Sequence, residues 1–346
     1  MLILKENNEN LKSVLGFGEI MLRLSPPNNK KIIQTDCFNV GYSGGEANVI
    51  ISLSILGHKT KFVTKVPNNY LGDKVINTLR EYDVDTSHII KGEGRLGTYY
   101  AEMGHGLRST EVIYDRKYSA ISMAEKEEFD LDKILKDVKL VHLSGITPAL
   151  SKNLKHLIID IAKYCNKNNI KVSYDSNYRA KLWSLEEAKE VLEEILPYVD
   201  YCFLGYLDMV NILNFEKEDE NLDFETSLKN LYEKLFKKYP NLKYALCTKR
   251  TLNSINNNSL QGYLFNNNSL YKSKLYTFDI LDRVGAGDAF TAGALHSILN
   301  NKENEQIVEF ATCASVLKHS IAGDVNIVDE KTINSLMDSG LQTVKR

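Results

Sequence analysis

Cysteine, proline and tryptophan are scarce in this sequence, which has five, six and one of them among 346 residues. The cysteines are odd in number and widely separated, and no Cys-x-x-Cys pair indicates a zinc or redox centre. They are typical of buried free thiols in a reducing cytoplasm. The five are Cys37, Cys165, Cys202, Cys247 and Cys313.

An excess of charge and long apolar runs are also lacking. The 43 basic and 45 acidic residues leave a formal net charge of -2, so no overall field would gather a polyanion, and nucleic acid is not an expected partner. No run approaches the roughly 20 apolar residues of a membrane-spanning helix. Charged and amide residues interrupt the start, Met1–Asn8, before a stretch of signal-peptide length develops. We therefore expect a cytoplasmic protein with no membrane partner.

What the sequence does have is a soluble composition with alternating strand and helix patterns. Hydrophobic residues make up 43% and charged residues 25% of the chain, as in average globular proteins. Short apolar runs followed by segments of helical period predict an α/β fold around a mostly parallel sheet. The predicted strands are 61–66, 140–143, 170–174, 201–204 and 244–247. The predicted helices are 47–56, 71–81, 154–166 and 185–196, the last with a Ser184…Glu187 capping box.

Two stretches depart from this alternation. Residues 19–42 and 97–118 contain clusters of β-forming residues and predict antiparallel strands that stand off the main sheet. The asparagine patches 256–258 and 266–268 predict loops around a late hairpin, because asparagine favours turns. Since no internal repeat and no Pro- or Ser-rich linker occurs, a single domain over residues 1–346 is expected.

The strongest functional signal is the run Gly285-Ala286-Gly287-Asp288. Residues 280–284 are predicted to end a strand and residues 289–295 to open a helix, so the run is a strand-to-helix turn. Backbone N–H groups at a helix N-terminus lack internal partners and carry the positive end of the helix dipole, which favours phosphate. The turn is therefore a candidate anion hole. The same dipole favours an ionised Asp288, which is the candidate base for a substrate hydroxyl.

A purely structural role for this run stays open, since an aspartate also caps helices and glycines also shape tight turns. Other phosphate-binding motifs are missing. No G-x-x-x-x-G-K-[ST] occurs, and Gly16-Phe17-Gly18 is followed by Met21 where a dinucleotide fingerprint has glycine. The sequence supports neither a P-loop enzyme nor a typical Rossmann dehydrogenase.

A second glycine turn, Gly44-Gly45, also leads into a predicted helix. Paired glycines expose backbone amides, and the side-chain amide of Asn48 both donates and accepts hydrogen bonds, as sugar hydroxyls require. A plain turn with a polar helix start is the alternative interpretation.

Together, the two clusters resemble the two signatures of the ribokinase-like (PfkB) carbohydrate kinases. Gly44-Gly45…Asn48 is similar to the N-terminal signature, and Asp282-x-x-Gly285-Ala286-Gly287-Asp288 is similar to the C-terminal one, in the same order and separation. Further segments resemble the 2-keto-3-deoxygluconate kinase group of that family. These segments are 23–27, 112–116, 145–151, 175–179 and 318–324.

The resemblance implies a three-layer α/β sandwich with a small β-sheet lid, which the two stand-off stretches would form. It also implies ATP as donor, Mg²⁺ as metal, and transfer to the 6-hydroxyl of 2-keto-3-deoxygluconate, with Asp288 as base. By position, the family's substrate contacts fall on Gly44, Gly45, Asn48, Tyr99, Tyr114, Arg116, Arg179, Asp288 and Asp324. Its nucleotide contacts are expected on Asn177, Thr248, Arg250, Ser254, Gly285 and Gly287.

Two arginines suit the carboxylate of a sugar acid, because a planar guanidinium forms two parallel hydrogen bonds to it. Arg116 is the candidate clamp from the lid. Arg179 follows a predicted strand end, where ligands gather in open α/β sheets, and would bridge substrate and transferred phosphate. The alternative interpretation is that each arginine is a solvated surface charge. Tyr99 and Tyr114 would then only pack against other side chains.

The chain departs from the family pattern after the strand predicted at 201–204. The family's Asn-x-x-Glu segment, which helps to hold the metal, is Gly205-Tyr206-Leu207-Asp208 here. Asp208 retains a carboxylate and is the candidate metal residue, because Mg²⁺ prefers oxygen ligands and keeps several waters.

Rival interpretations are a kinase of the same fold acting on fructose, ribose or a keto-gluconate, and a sugar-binding protein without catalysis. Whether the protein forms a homo-oligomer through the lid also stays open. Its apolar lid residues would serve either a dimer interface or the cover over the substrate; they are Ile32, Ile33, Phe38 and Val40.

Overall fold

The structure, a computed structural model, describes residues 12–339, and within that range the chain forms fifteen β-strands and nine α-helices. The strands are β1 Ser13–Phe17, β2 Met21–Ser25, β3 Asn39–Ser43, β4 Thr60–Val63, β5 Lys65–Pro67, β6 Ile90–Gly92, β7 Thr98–Glu102, β8 Glu111–Asp115, β9 Val138–Ser144, β10 Lys171–Asp175, β11 Tyr201–Phe203, β12 Tyr244–Leu252, β13 Asn257–Asn266, β14 Ser269–Lys272 and β15 Tyr276–Asp279. The helices are α1 Gly45–Ile55, α2 Tyr70–Arg80, α3 Leu131–Ile134, α4 Lys152–Lys167, α5 Leu185–Ile195, α6 Phe224–Lys238, α7 Ala286–Leu299, α8 Asn304–Lys318 and α9 Glu330–Ser339. The start, Met1–Asn8, whose sequence predicts no export signal, lies outside the described residues.

The main sheet is mostly parallel, which confirms the predicted fold class. Strands β4, β1, β9, β10, β11 and β12 are parallel neighbours, while β13 runs antiparallel to β12 and pairs with both β14 and β15. Successive strand residues point to opposite faces, so Leu140 and Val141 of β9 belong to two different apolar clusters. One cluster packs against α4, α5 and α6 and the other against α1, α2, α7 and α8. Helices on both faces make three layers, which is why the parallel strands are apolar throughout.

A separate four-stranded sheet, here called the small sheet, has the order β3-β2-β7-β8. The pairs β2–β3 and β7–β8 are antiparallel, as predicted, whereas the central pair β2–β7 is parallel. The chain between β3 and β7 passes through α1, β4, β5, α2 and β6. A connection of that length permits parallel pairing, which a tight turn would not.

Three local predictions were wrong. Residues 61–66 do not form one strand, because β4 belongs to the main sheet and β5 pairs with β6 in a separate two-stranded sheet. The asparagine patch 256–258 is only partly a loop, since β13 begins at Asn257. Residues 280–284 are a loop beyond the end of β15, and α7 begins three residues before the predicted position 289.

The loop at 280–284 has a tertiary cause. The backbone N–H groups of Leu281 and Asp282 donate to the carbonyl oxygen of His319 over 2.8 and 3.2 Å. These bonds hold the segment against the loop that follows α8, away from the strand ladder that its apolar residues favour.

Several smaller predictions concern helices, thiols and surface. The Ser184…Glu187 capping box at α5 is confirmed. All five cysteines are free, and four are buried, whereas Cys37 is exposed. None of the helices described between residues 12 and 339 is long and apolar enough to span a bilayer. Ile33 and Val40 of the predicted lid region are 89% and 60% exposed.

Candidate active site

A cavity of about 330 Å³ is lined by the small sheet and by the N-terminal ends of α1 and α7. Most of the predicted site residues line it. These are Gly44, Gly45, Asn48, Tyr99, Tyr114, Arg116, Asn177, Arg179, Gly285, Gly287, Asp288 and Asp324. The cavity lining does not include Ala286, Asp208, Thr248, Arg250 or Ser254. The two glycine turns, 240 residues apart in the sequence at Asn48 and Asp288, thus meet at one site.

The turn before α7 has a backbone that requires glycine. Gly285 caps the helix with φ +82° and ψ 0°, a left-handed conformation that favours glycine. A Cβ at this position would also overlap the carbonyl oxygen of Asp324. Gly287, in the first helical turn, has open space where a Cβ would lie. Gly287 lines the cavity, and its N–H, in the first helical turn, has no partner within the helix. The N–H of Ala286 donates to the carbonyl oxygen of Arg283 over 3.4 Å.

Asp288 combines burial with a hydrogen-bond donor. Asn48 Nδ2 donates to Asp288 Oδ2 over 2.7 Å. Burial raises the pKa of Asp288 to about 7, while the Asn48 bond and the charge of Arg179 oppose the rise. A carboxyl group with a pKa near the working pH is suited to general-base catalysis.

A second carboxylate, Asp175, also lines the cavity and was missed in the sequence. It is the last residue of β10, and its Oδ1 accepts the backbone N–H of Asn177 over 3.0 Å. Burial and the charges of Asp288 and Asp208 raise its pKa to about 7. Its position at the carboxyl end of a predicted parallel strand was the available signal.

The candidate metal residue, Asp208, lies behind the cavity and not on its wall. Its Oδ1 accepts from Ser176 Oγ over 3.0 Å, and its Oδ2 accepts the backbone N–H of Gly205 over 2.7 Å. Burial raises its pKa. Between residues 12 and 339, no three or more His, Cys, Asp or Glu side chains are grouped as metal ligands. The carboxylates of Asp175 and Asp208 are oxygen donors, which is the ligand chemistry that Mg²⁺ prefers.

The lid-side clamp, Arg116, is already paired with an acid. Its Nε donates to Glu19 Oε2 over 2.8 Å, and its Nη2 donates to the same oxygen. Both side chains are buried, at 7% and 2% exposure, and the guanidinium lies 5.5 Å from the centre of the Tyr114 ring. Of the three guanidinium nitrogens of Arg116, Nη1 alone has no hydrogen-bond partner among residues 12–339. Glu19 was not predicted, since nothing near it in the sequence indicates this pair.

Arg179 also lines the cavity and, unlike Arg116, is not paired with an acid in the described part of the chain. Its Nη1 donates to the carbonyl oxygens of Asn177 and Tyr178, both over 3.1 Å. It has no acid partner within hydrogen-bond distance among residues 12–339, yet its charge opposes the raised pKa of both Asp175 and Asp288. The guanidinium is therefore near both carboxylates and free to bind an anion.

Asp324 was predicted as a substrate contact, but protein groups occupy both of its oxygens. Its Oδ2 accepts from Ser43 Oγ over 2.7 Å and from the hydroxyl of Tyr99, and its Oδ1 accepts from Arg23. Burial and the charge of Asp324 raise the pKa of Tyr99 well above its usual value. In this structure Asp324 holds the cavity wall together.

Three of the predicted nucleotide residues are outside the cavity lining. Thr248 and Arg250 belong to β12, and Ser254 follows it. Arg283, which was not predicted, lines the cavity and donates from Nη2 to the carbonyl oxygen of Ile255 over 2.8 Å. Burial and the charge of Arg283 lower the pKa of Arg250. Within residues 12–339 neither arginine has an acid partner, which favours an anion between them.

Known proteins are similar to this chain in fold and in sequence. The pfkB family carbohydrate kinase profile matches residues 11–326. The chain is 28% identical to the 2-dehydro-3-deoxygalactonokinase of Haloferax volcanii, over 94% of this chain and 96% of that protein. It is 40% identical to the crystal structure of 2-dehydro-3-deoxygluconokinase from Thermotoga maritima, with a TM-score of 0.91 over 95% of this chain and 98% of that one. A fructokinase from Xylella fastidiosa with bound ATP has the same fold at 17% identity, with a TM-score of 0.77 over 94% and 98%. The chain belongs to the pfkB family of carbohydrate kinases.

Proposed function

We propose that this carbohydrate kinase transfers the γ-phosphoryl group of ATP to the 6-hydroxyl of 2-keto-3-deoxygluconate. The observation that carries the proposal is Asp288. It is a buried carboxyl group with a pKa raised to about 7, at the start of α7 and in a cavity that Arg116 and Arg179 also line. The names of two relatives support the substrate class, because both act on 2-dehydro-3-deoxy sugar acids.

In the proposed reaction, the oxygen of the substrate's 6-hydroxyl attacks the γ-phosphorus, and Asp288 accepts the proton of that hydroxyl. The bond from that phosphorus to the bridging oxygen of ADP breaks, and ADP leaves with the electron pair. Phosphoryl transfer depends on positioning and on stabilising charge at the phosphoryl oxygens. Backbone N–H groups of Gly285, Ala286 and Gly287 would supply that stabilisation, together with Arg179.

Mg²⁺, when bound to the nucleotide, would neutralise phosphate charge. Asp175 and Asp208 are the residues of this chain that would hold its waters, because both carry carboxylate oxygens, which Mg²⁺ prefers, although burial raises the pKa of each. A nearby cation favours their ionised forms. The triphosphate is expected to run past Arg250 and Arg283 toward Gly285, with Asn177, Thr248 and Ser254 beside it.

Recognition of the sugar acid would involve both faces of the cavity. Arg116 Nη1 would bind the carboxylate end, and Arg179 would bridge the substrate and the transferred phosphate. Asn48 would hold a hydroxyl of the sugar while its amide also donates to Asp288. The small sheet is expected to act as the lid of a single domain. Tyr99 and Tyr114 would form walls of the pocket that holds the sugar.

A second candidate substrate is the galactonate epimer, 2-keto-3-deoxygalactonate. The Haloferax relative named for that substrate favours it. The two acids share the carboxylate, and therefore the requirement for a cationic partner, so the arginines do not discriminate between them.

The test is ADP release by the purified protein with ATP, Mg²⁺ and a panel of sugars. The panel holds the two sugar acids, 2-keto-gluconate, fructose and ribose. We expect the highest kcat/KM with one of the 2-keto-3-deoxy acids. A neutral sugar as the best substrate would overturn the substrate assignment, and no turnover on any compound would favour a sugar-binding protein.

The role of Arg116 is tested by Arg116→Leu combined with Glu19→Gln, which avoids a buried unpaired carboxylate. The double variant should raise KM for the acid by about tenfold or more, the size of one charge-assisted hydrogen bond. KM for a neutral sugar should not change, and Glu19→Gln alone is the control. Equal effects on acid and neutral sugars would contradict the carboxylate role.

A further inference from the structure

A buried arginine outside the proposed chemistry joins the small sheet to the loops behind the anion hole. Arg23 lies on β2, and its side chain is 6% exposed. Its Nη2 donates to Asp282 Oδ2 over 2.6 Å, and its Nη1 donates to Asp324 Oδ1. Its Nε donates to Ser25 Oγ over 2.8 Å. The guanidinium thus bridges two carboxylates that belong to different loops.

Both carboxylates shape the turn that begins α7. Asp282 Oδ1 accepts the backbone N–H of Val284 over 3.0 Å, and Asp282 Oδ2 accepts that of Gly323 over 3.0 Å. The carbonyl oxygen of Asp324 packs so closely on Gly285 that a Cβ would overlap it. A displacement of either carboxylate would therefore displace the Gly285 turn.

The same network reaches the substrate wall. Arg23 is the register partner of Tyr99 in the β2–β7 pair, and Tyr99 is opposite Tyr114 of β8. Tyr99 and Ser43 each donate a hydroxyl hydrogen bond to the Asp324 carboxylate. Asp324 thus receives bonds from three strands of the small sheet while its backbone supports the helix turn.

A second buried cation supports these loops from behind. Lys318 is fully buried, and its Nζ donates to the carbonyl oxygens of Asp282 and Ile321 over 3.4 and 3.1 Å. Together, Lys318 and Arg23 balance the charges of Asp282 and Asp324. Buried charges of this kind are retained only when they are paired and hydrogen-bonded.

We infer that Arg23 is a positioning residue that couples the substrate wall of the small sheet to the Gly285–Asp288 turn. Its planar fork holds the two carboxylates at fixed separation, which a lysine, as a single point charge, does not do. The kinetic consequence rests on the proposed function. A misplacement of the reacting groups by about 1 Å lowers catalysis by about 100-fold.

The test compares Arg23→Lys with wild type and with Arg108→Lys, whose arginine pairs with Glu102 over 2.8 Å within the small-sheet region. Amide hydrogen exchange is measured first without ligand. In Arg23→Lys the peptide 281–288 should exchange about tenfold faster, because local opening is less opposed. Exchange in 138–144 should match wild type, which excludes general unfolding.

The kinetic arm uses 2-keto-3-deoxygluconate, ATP and Mg²⁺. Arg23→Lys should lower kcat by about 10- to 100-fold with the sugar KM within about threefold. Adding the sugar acid should protect 281–288 in wild type and Arg108→Lys but not in Arg23→Lys. If Arg23→Lys does not fold, Ser43→Ala, which removes one bond to Asp324, should show the same pattern at smaller amplitude.

Identical exchange at 281–288 in all three proteins would overturn the inference, and so would an unchanged kcat in Arg23→Lys. Absence of turnover in the wild type would instead contradict the proposed function. In that case, amide hydrogen exchange at 281–288 without ligand still tests whether Arg23 couples the small sheet to the Gly285–Asp288 turn.

Discussion

The starts of α1 and α7 are built alike but carry acids with different partners. Each helix follows a glycine cap and has an acid in its first turn, Glu46 in α1 and Asp288 in α7. Both acids are buried, and burial raises the pKa of each. Glu46 Oε1 accepts from the hydroxyls of Ser144 and Thr147, both over 2.7 Å.

Asp288, in contrast, has one side-chain donor, Asn48 of the other helix, although both acids line the cavity. Gly285 is left-handed with φ +82°, whereas Gly44 is extended with φ -171°. A glycine turn followed by an acid therefore does not define a catalytic base. The partners of the acid decide its role, and Glu46 is fixed by protein hydroxyls.

The largest expected effect separates the two acids. Asp288→Asn should lower kcat by about 1000-fold, because an amide does not accept the hydroxyl proton and general-base catalysis contributes about 10²–10⁴-fold. Glu46→Gln should cost less than about tenfold, since its amide oxygen still accepts from Ser144. Steady-state ADP release measures both, and equal losses would contradict the distinction.

The second effect concerns the glycines of the α7 turn. Gly285→Ala should destabilise the fold by about 1–3 kcal/mol, because alanine is strained at positive φ and its Cβ overlaps Asp324. Gly287→Ala, with open space at its Cβ, should gain about 0.5–1 kcal/mol from helix propensity. Urea unfolding checks the pair. Similar changes in the two variants would show that the turn is not held as described.

The third effect tests the partner of each acid. Asn48 stabilises the ionised form of Asp288, so Asn48→Leu should raise the pKa of Asp288, and the acidic limb of kcat/KM should move about one unit to higher pH. Ser144→Ala removes a partner of Glu46 and should leave the limb nearly in place. The pH profiles of both variants check this, and a limb that moves only in Ser144→Ala would reverse the assignment.

The smallest effect concerns Asp208, a buried carboxylate behind the cavity. Asp208→Ala should raise the Mg²⁺ concentration needed for half-maximal turnover by a few-fold, since an indirect ligand contributes less than a direct one. Turnover at saturating Mg²⁺ should remain close to wild type. A Mg²⁺ dependence identical to that of wild type would remove Asp208 from the metal environment.

Local patterns in the sequence predicted the parts of the fold that depend on local chemistry. The parallel sheet, the capping box and the two glycine turns all follow from periodicity and from residue types a few positions apart. The loop at 280–284 was not predictable in this way, because the N–H groups of Leu281 and Asp282 bond to the distant His319.

Pairs distant in the sequence were also beyond prediction. Arg23 and Asp324 are 301 residues apart, and Arg116 and Glu19 are 97 apart. No spacing rule indicates such contacts, so the engagement of Arg116 and Asp324 by protein groups became visible only in the folded chain. Asp175 was missed for a related reason, since its raised pKa depends on burial and on the charges of two carboxylates from other elements.

The pH dependence of kcat/KM for 2-keto-3-deoxygluconate, with ADP release as the readout, tests whether Asp288 is the base. A base must be deprotonated to act, so activity should fall as the pH drops through the raised pKa of Asp288, about 7. The same limb should persist in Glu46→Gln and disappear from the residual activity of Asp288→Asn. Because the pKa of Asp175 is also raised to about 7, a limb that persists in Asp288→Asn but is lost in Asp175→Asn would contradict the assignment of Asp288 as the base. A wild-type profile with no limb near pH 7 would contradict it as well.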